Sequence, residues 1–175
     1  MPAGSASAIR PFRPDDAEAL GHLTLAAIRE TAARSYAPAQ VEAWAARHPD
    51  PRRFRESAGK GDTILVRTDD SDRPVAYALM EANGHVDMLY CDPDHGGSGI
   101  GAALLGRLEA NAGLRGIARL FTEASELARP VFARAGWTEL HRRDFTLEHE
   151  GAAVPIHNYA MEKRLDKGAS PTMFR

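Results

Sequence analysis

The chain has 175 residues, is 43% hydrophobic and 26% charged, and carries a formal net charge of −2. Such a length can bury a core without disulfides, and the lone Cys91 cannot form an intrachain bridge, which points to a reducing compartment. Mixed charges without a basic excess argue against nucleic acid as a partner, and no apolar run approaches the roughly 18 residues a membrane span needs. The polar start MPAGSASAIR holds no hydrophobic targeting segment, so the expected location is the cytoplasm.

Residues 1–7 are small and polar and are expected to be disordered. A single domain is expected over 8–165, followed by a flexible tail over 166–175. Ala8 to Phe12 reads as a short strand. Pro14-Asp15-Asp16 opens a helix, with Ala17, Leu20, Leu23, Ala27, Ile28 and Thr31 on one stripe as far as Arg34. Pro38 starts a second helix carrying Val41, Trp44 and Ala45, and Asp50-Pro51 a third that runs through Ser57. From Asp62 the period changes to that of strands: Thr63 to Arg67, Val75 to Glu81, then a strand from His85 after the turn signal Asn83-Gly84. These form an antiparallel meander.

The next stretch organises the chain. The strand Val86 to Cys91 runs through Asp92-Pro93-Asp94 into Gly96-Gly97-Ser98-Gly99-Ile100-Gly101-Ala102, where a helix opens with Ile100, Leu104 and Leu108 spaced four apart. The first amides of a helix lack intrahelical partners and its dipole adds positive charge there, while glycines allow close backbone approach. Together they suit a phosphate. A strand over Ala118 to Thr122 then completes a strand–helix–strand unit, which requires a parallel pair. Glu126 to Ala135 reads as a helix capped by Gly136. Trp137 to Leu140 reads as a strand, and Phe145–Leu147 with Ile156–Met161 as a hairpin in which Pro155 marks an edge or bulge. The predicted fold is α+β: a mostly antiparallel central sheet with one parallel crossover pair and helices on both faces.

The run Leu89 to Gly101 resembles the acyl-CoA-binding motif of the GCN5-related N-acetyltransferases, the GNAT superfamily. Thr122-Glu123-Ala124-Ser125, Ala128, Phe132 and Gly136-Trp137 resemble that family's fifth strand, the helix after it and a closing glycine–aromatic pair. His157 to Lys163 resembles the last strand of small uncharacterised members. The resemblance implies that acetyl-CoA is the cofactor. Its pyrophosphate would lie on the amides of Gly96, Gly97, Ser98, Gly99, Ile100, Gly101 and Ala102. Its pantetheine would run beside Leu89, Tyr90 and Cys91, in a gap between splayed parallel strands, like an added strand. Ser125 stands where the family often has a cofactor-contacting Asn. Two positions depart from the pattern: Gly96 replaces the usual Gln or Arg, and Phe132 replaces a Tyr that protonates the leaving thiolate.

The activity implied is transfer of an acetyl group to a primary amine of a small-molecule or peptide acceptor, by direct attack in a ternary complex. The amine must lose a proton. Asp87, a carboxylate in an apolar strand, is the first candidate acceptor and Glu123 the second; a solvated carboxylate and a surface ion pair are their alternatives. In a regular strand Asp87 shares a face with Leu89 and Cys91, opposite Val86, Met88 and Tyr90. A nearby water, Tyr90 or Ser125 could replace the missing acid, Ser125 equally being a helix cap. Glu81 and His85 read as exposed turn-flanking residues, and Tyr36 and Trp44 as either core or groove. The seven histidines show no metal-ligand spacing, so no metal is expected. A homodimer through the C-terminal strands is compatible with the pattern. Phe132 motivates one rival, an acyl-CoA sensor that does not turn over. Gly97-Ser98-Gly99-Ile100-Gly101-Ala102 motivates another, a dinucleotide-binding oxidoreductase, which would need a doubly wound parallel sheet.

Overall fold

The computed structural model describes residues 8–166. The expected disordered start and all of the expected tail except Asp166 lie outside these residues. Four strands, β1 (Ile9–Pro11), β2 (Thr63–Thr68), β3 (Pro74–Met80) and β4 (Val86–Cys91), form an antiparallel sheet in the order β1-β2-β3-β4. Three more, β5 (Arg119–Ala124), β6 (Thr138–His149) and β7 (Ala152–Arg164), form a second antiparallel sheet in the order β5-β7-β6. The expected single sheet is therefore two sheets. They meet where β4 and β5 begin, at one parallel bridge between His85 and Phe121. No helix among the described residues is long and apolar enough to cross a membrane.

The period-2 pattern of the strands fills two cores. Leu65, Ala76, Ala78 and Met80 face α4 (Ile100–Leu114), meeting Leu104, Leu105 and Leu108. Ile64, Val66, Tyr77 and Leu79 face α1 (Ala17–Ala26) and α3 (Pro51–Gly59), meeting Leu20, Leu23 and Phe54. A third cluster joins α2 (Pro38–Ala45) to β7 through Val41, Ala45 and Ile156.

Several boundaries differ from the sequence reading. The first helix is not regular to Arg34: after Ala26 it widens into a π turn over Ala27–Thr31 and tightens over Ala32–Arg34. The extra residue carries the buried face to Ala32 and Tyr36. The helix expected over 126–135 is a turn followed by α5 (Arg129–Arg134), where Pro130 fits the amide-free first turn. The strands expected at Trp137–Leu140 and Phe145–Leu147 are one continuous strand, with Leu140 as an extra residue between Glu139↔Met161 and His141↔Ala160. Pro155 does lie on an edge: β5 pairs only with Tyr159–Arg164, so this part of β7 has β6 alone as neighbour.

Gly84 does more than turn the chain. It has φ +91°, and a Cβ placed there would stand 2.4 Å from the Arg119 carbonyl oxygen. The Phe121 amide donates to the Gly84 carbonyl at 3.1 Å, so the meeting of the two sheets is built on a residue with no side chain. Gly84→Ala is expected to destabilise the protein by at least about 2–3 kcal/mol, more than left-handed backbone strain of about 1–2 kcal/mol alone accounts for. Urea unfolding of the two proteins measures the difference.

Candidate active site

Beyond the bridge, β4 and β5 part. Each is the terminal strand of its own sheet, so their unpaired edges face one another across a wedge. Just past the bridge the buried Thr122 hydroxyl donates to the Val86 carbonyl at 2.7 Å, a last tie between the edges. A cleft of about 390 Å³ opens here, walled by β4, β5, α2 and the outer part of the β6–β7 hairpin.

At the head of the wedge stands the glycine loop. The Asp92 carboxylate accepts from the Asp94 amide at 2.9 Å and turns the chain out of β4. Gly97 (φ +79°) and Gly99 (φ +75°) then take left-handed conformations, and a Cβ built at either meets nothing within 4 Å. Gly99 caps α4, whose first amides have no intrahelical acceptor. Gly96, Gly97, Ser98, Gly99 and Ala102 are exposed, while Ile100 and Gly101 are partly covered. The Ser98 hydroxyl is turned inward, donating to the His95 carbonyl at 2.9 Å. Gly101 has a packing reason as well: its Cβ would lie 3.0 Å from Val131 Cγ1 on α5. Open space, bare amides and a helix start are what a pyrophosphate requires, so the residues present fit that group.

Asp87 is displaced from the face assigned to it. Met80 pairs with Val86 and Leu79 with Met88, which leaves Asp87 as the extra residue of a bulge. Val86 consequently packs with Leu89 and Cys91, whereas Met88 and Tyr90 pack on the opposite side. The bulge aims Asp87 at the cleft, half-buried, with one oxygen 2.5 Å from Arg53 Nη2 on α3. Burial pushes its carboxyl above the usual aspartate value, against the opposing pull of Arg53.

His85 is not an exposed turn residue. Its ring stacks on Phe121 at 4.9 Å and lies between two carboxylates, with Nδ1 3.2 Å from Glu81 and Nε2 2.6 Å from Glu123. The Glu123 bond outweighs burial and raises the imidazole to about 9, so it is a cation at neutral pH. The same bond holds Glu123 below its usual range, with help from Arg143 at 3.6 Å. Glu81, His85 and Asp87 bring ligand atoms within 4.8 Å of one another, a convergence that sequence spacing does not disclose. Protein partners already occupy these atoms: His85 bridges the two glutamates and Arg53 holds Asp87.

The other expected residues fall around the same cleft. Tyr90 stacks on Tyr77 at 5.9 Å, and burial pushes its hydroxyl up to about 12. Cys91, half-buried against the α4 core, has a thiol pushed up to about 11 by burial, which suits a packing role better than a nucleophile. The Ser125 hydroxyl accepts from the Ala128 amide at 3.1 Å, so the capping role is present, at the cleft rim. Phe132 is 2% exposed and meets Trp137 edge-on at 4.8 Å, forming part of the cleft floor. Tyr36 joins the walls, accepting from the Glu126 amide at 3.0 Å and donating to the His157 carbonyl at 3.1 Å. Nothing in the sequence marks Thr122 or Arg53 as site residues, and His85 reads there as an exposed turn-flanking residue, because only the bulge and the strand bridge bring them to the cleft.

This architecture is that of an acyltransferase fold, and comparison with known proteins agrees. Residues 32–163 match the family model described as "Acetyltransferase (GNAT) domain". The chain belongs to the GNAT acetyltransferase family. It is 30% identical over 129 residues to the "Uncharacterized N-acetyltransferase YafP" of Escherichia coli (strain K12), covering 74% of this chain and 79% of that protein. A GCN5-related N-acetyltransferase structure from Rhodopseudomonas palustris is 32% identical with a TM-score of 0.78, covering 94% of this chain and 99% of that one. The fold is also shared with a phosphinothricin acetyltransferase from Sinorhizobium meliloti in complex with AcCoA, at 19% identity and TM-score 0.71 over 96% of this chain and 94% of that one.

The ring of His85 provides a test of these electrostatics. A folded-state value of about 9 against an ordinary 6.5 means that the ion pairs contribute stability in full below pH 6.5 and lose it as pH rises through 9. The stability gap between wild type and His85→Gln, from denaturant midpoints, is expected to be widest near pH 6 and to close progressively between 6.5 and 9.

Proposed function

We propose that the protein is an acetyl-CoA-dependent N-acetyltransferase acting on a primary amine, by direct attack with both substrates bound. The observation that carries this reading is the parting of the β4 and β5 edges at the head of a glycine-lined helix start. The AcCoA complex of the S. meliloti relative supports it. Amides from Gly96 to Ala102 would hold the pyrophosphate. The free edge of β4 at Leu89, Tyr90 and Cys91 would take the pantetheine, with Ser125 and Phe132 at its far end. Bound acetyl-CoA supplies an acyl thioester as the electrophile.

This chain's residues do the rest. Asp87 accepts the proton of the incoming ammonium: it is half-buried, faces the cleft and has a raised pKa, which brings it nearer the amine it must serve. Arg53, projecting from α3, holds the Asp87 carboxylate in place. Glu123, fixed by His85 and Arg143, holds a negative charge on the opposite wall and orients the ammonium. Phe132 has no proton to give, but a thiol of ordinary pKa about 8.5 leaves tolerably as thiolate. Tyr90 keeps its phenolic proton throughout the physiological range and is the hydroxyl of the cleft suited to donate it.

The missing tyrosine also favours a second reading, a sensor that binds acetyl-CoA without consuming it. Measuring CoA release over a panel of amines separates the two: binding with no release from any amine selects the sensor. Asp87→Asn is expected to lower kcat by about 10²–10⁴ with acetyl-CoA affinity unchanged. Wild-type rate is expected to climb as pH rises through the elevated Asp87 value, a limb the variant lacks. Gly97→Leu places a side chain over the amides in open space. It is expected to weaken CoA binding at least about tenfold by calorimetry, with thermal unfolding lowered by about 2–8 °C through left-handed backbone strain of about 1–2 kcal/mol.

A further inference from the structure

The cleft carboxylates are matched with cations: Asp87 has Arg53, and Glu123 has His85 and Arg143. Arg47, which also lines the cleft, has no carboxylate partner among the described residues. Its Nη1 donates to the Ala43 carbonyl at 3.0 Å and its Nη2 to the Glu148 carbonyl at 2.7 Å. These neutral acceptors fasten the guanidinium between α2 and β6, leave donors to spare and neutralise none of its charge. The same cleft that holds Arg47, Asp87 and Glu123 is also lined by the apolar side chains of Trp44, Phe145, Leu147 and Ile156.

We propose that the acceptor is a free amino acid with an apolar side chain, and that Arg47 receives its carboxylate. The inference rests on the N-acetyltransferase reading and specifies its substrate. An ammonium belongs at Asp87 and Glu123, an apolar body on the aromatic wall and an anion at the unneutralised arginine. A guanidinium already held in place loses little freedom on binding, and its planar fork matches a carboxylate. The cleft volume of about 390 Å³ is that of a small-molecule site. Arg47 is thus a specificity residue outside the proton-transfer machinery.

The test is calorimetry on the CoA-saturated protein, using a panel of N-acetyl amino acids and the matching carboxamides. At least one apolar member is expected to bind about tenfold or more tightly as acid than as amide. Arg47→Gln is expected to abolish that preference and Arg47→Lys to restore part of it; a purely structural arginine would shift thermal stability and leave the acid-to-amide ratio alone. The proposal is overturned if no member prefers the acid, or if Arg47→Gln keeps the preference. Turnover is scored separately with the free amino acids and their amides. Acid preference without CoA release from any amine would retain Arg47 as the carboxylate ligand and overturn the transferase reading instead.

Discussion

The site depends on two strand edges that touch once and then separate. Backbone edges in a folded protein are ordinarily paired or covered, because bare amides and carbonyls attract other chains. Here the contact is held by the Phe121 amide on Gly84 and by the Thr122 hydroxyl on Val86, and both edges beyond it are left open. The two cores on either side of the first sheet supply the rigidity that keeps them apart. The α4 helix packs its Leu104, Leu105 and Leu108 stripe across that sheet, which fixes its first turn at the end of the gap. Hydrophobic packing thus sets the position of a polar opening.

Charge in the cleft follows from the same construction. One extra residue in β4 takes Asp87 out of the alternation and into reach of Arg53 on α3. The parallel bridge lays His85 on Phe121 and brings it to Glu123. The acidic groups therefore come from two sheets, and their cations from a helix, a turn and the far strand. An aspartate with raised pKa and a histidine held cationic sit within one half-buried cluster. Strong perturbations in a cleft are characteristic of sites that handle protons.

Much of this was legible in the residues. The glycine loop, the helix it opens and the meander before it all followed from turn chemistry and period, because Asn83-Gly84 and Gly96 to Gly101 admit few conformations. What escaped was long-range. Nothing local marks Asp87 as a bulge, since the strand's alternation looks regular until β3 is laid beside it. Gly84 reads as a turn residue, and its close approach to Arg119 exists only once the second sheet is in place. His85 looked exposed because its two glutamate partners are four and thirty-eight residues away and its stacking partner belongs to β5. The split of one sheet into two escaped for the same reason, since strand order is decided by packing.

The overhang of the terminal hairpin has a wider consequence. Residues 152–158 of β7 have a neighbour on one side only; the hairpin leans on α2 through the Gln40 amide on the Pro155 carbonyl, and on Arg47, just beyond α2, through its guanidinium on the Glu148 carbonyl of β6. One flank of the cleft is therefore a cantilever, anchored at its root and propped at its tip, while the other is embedded in the central cores. Substitutions at the tip can reshape the cleft mouth without loosening the glycine loop, which is held by the packing of α4 on the first sheet. The shape of the cleft mouth and the position of the glycine loop are thus set by mechanically separate parts of the fold, so that one can change while the other stays constant.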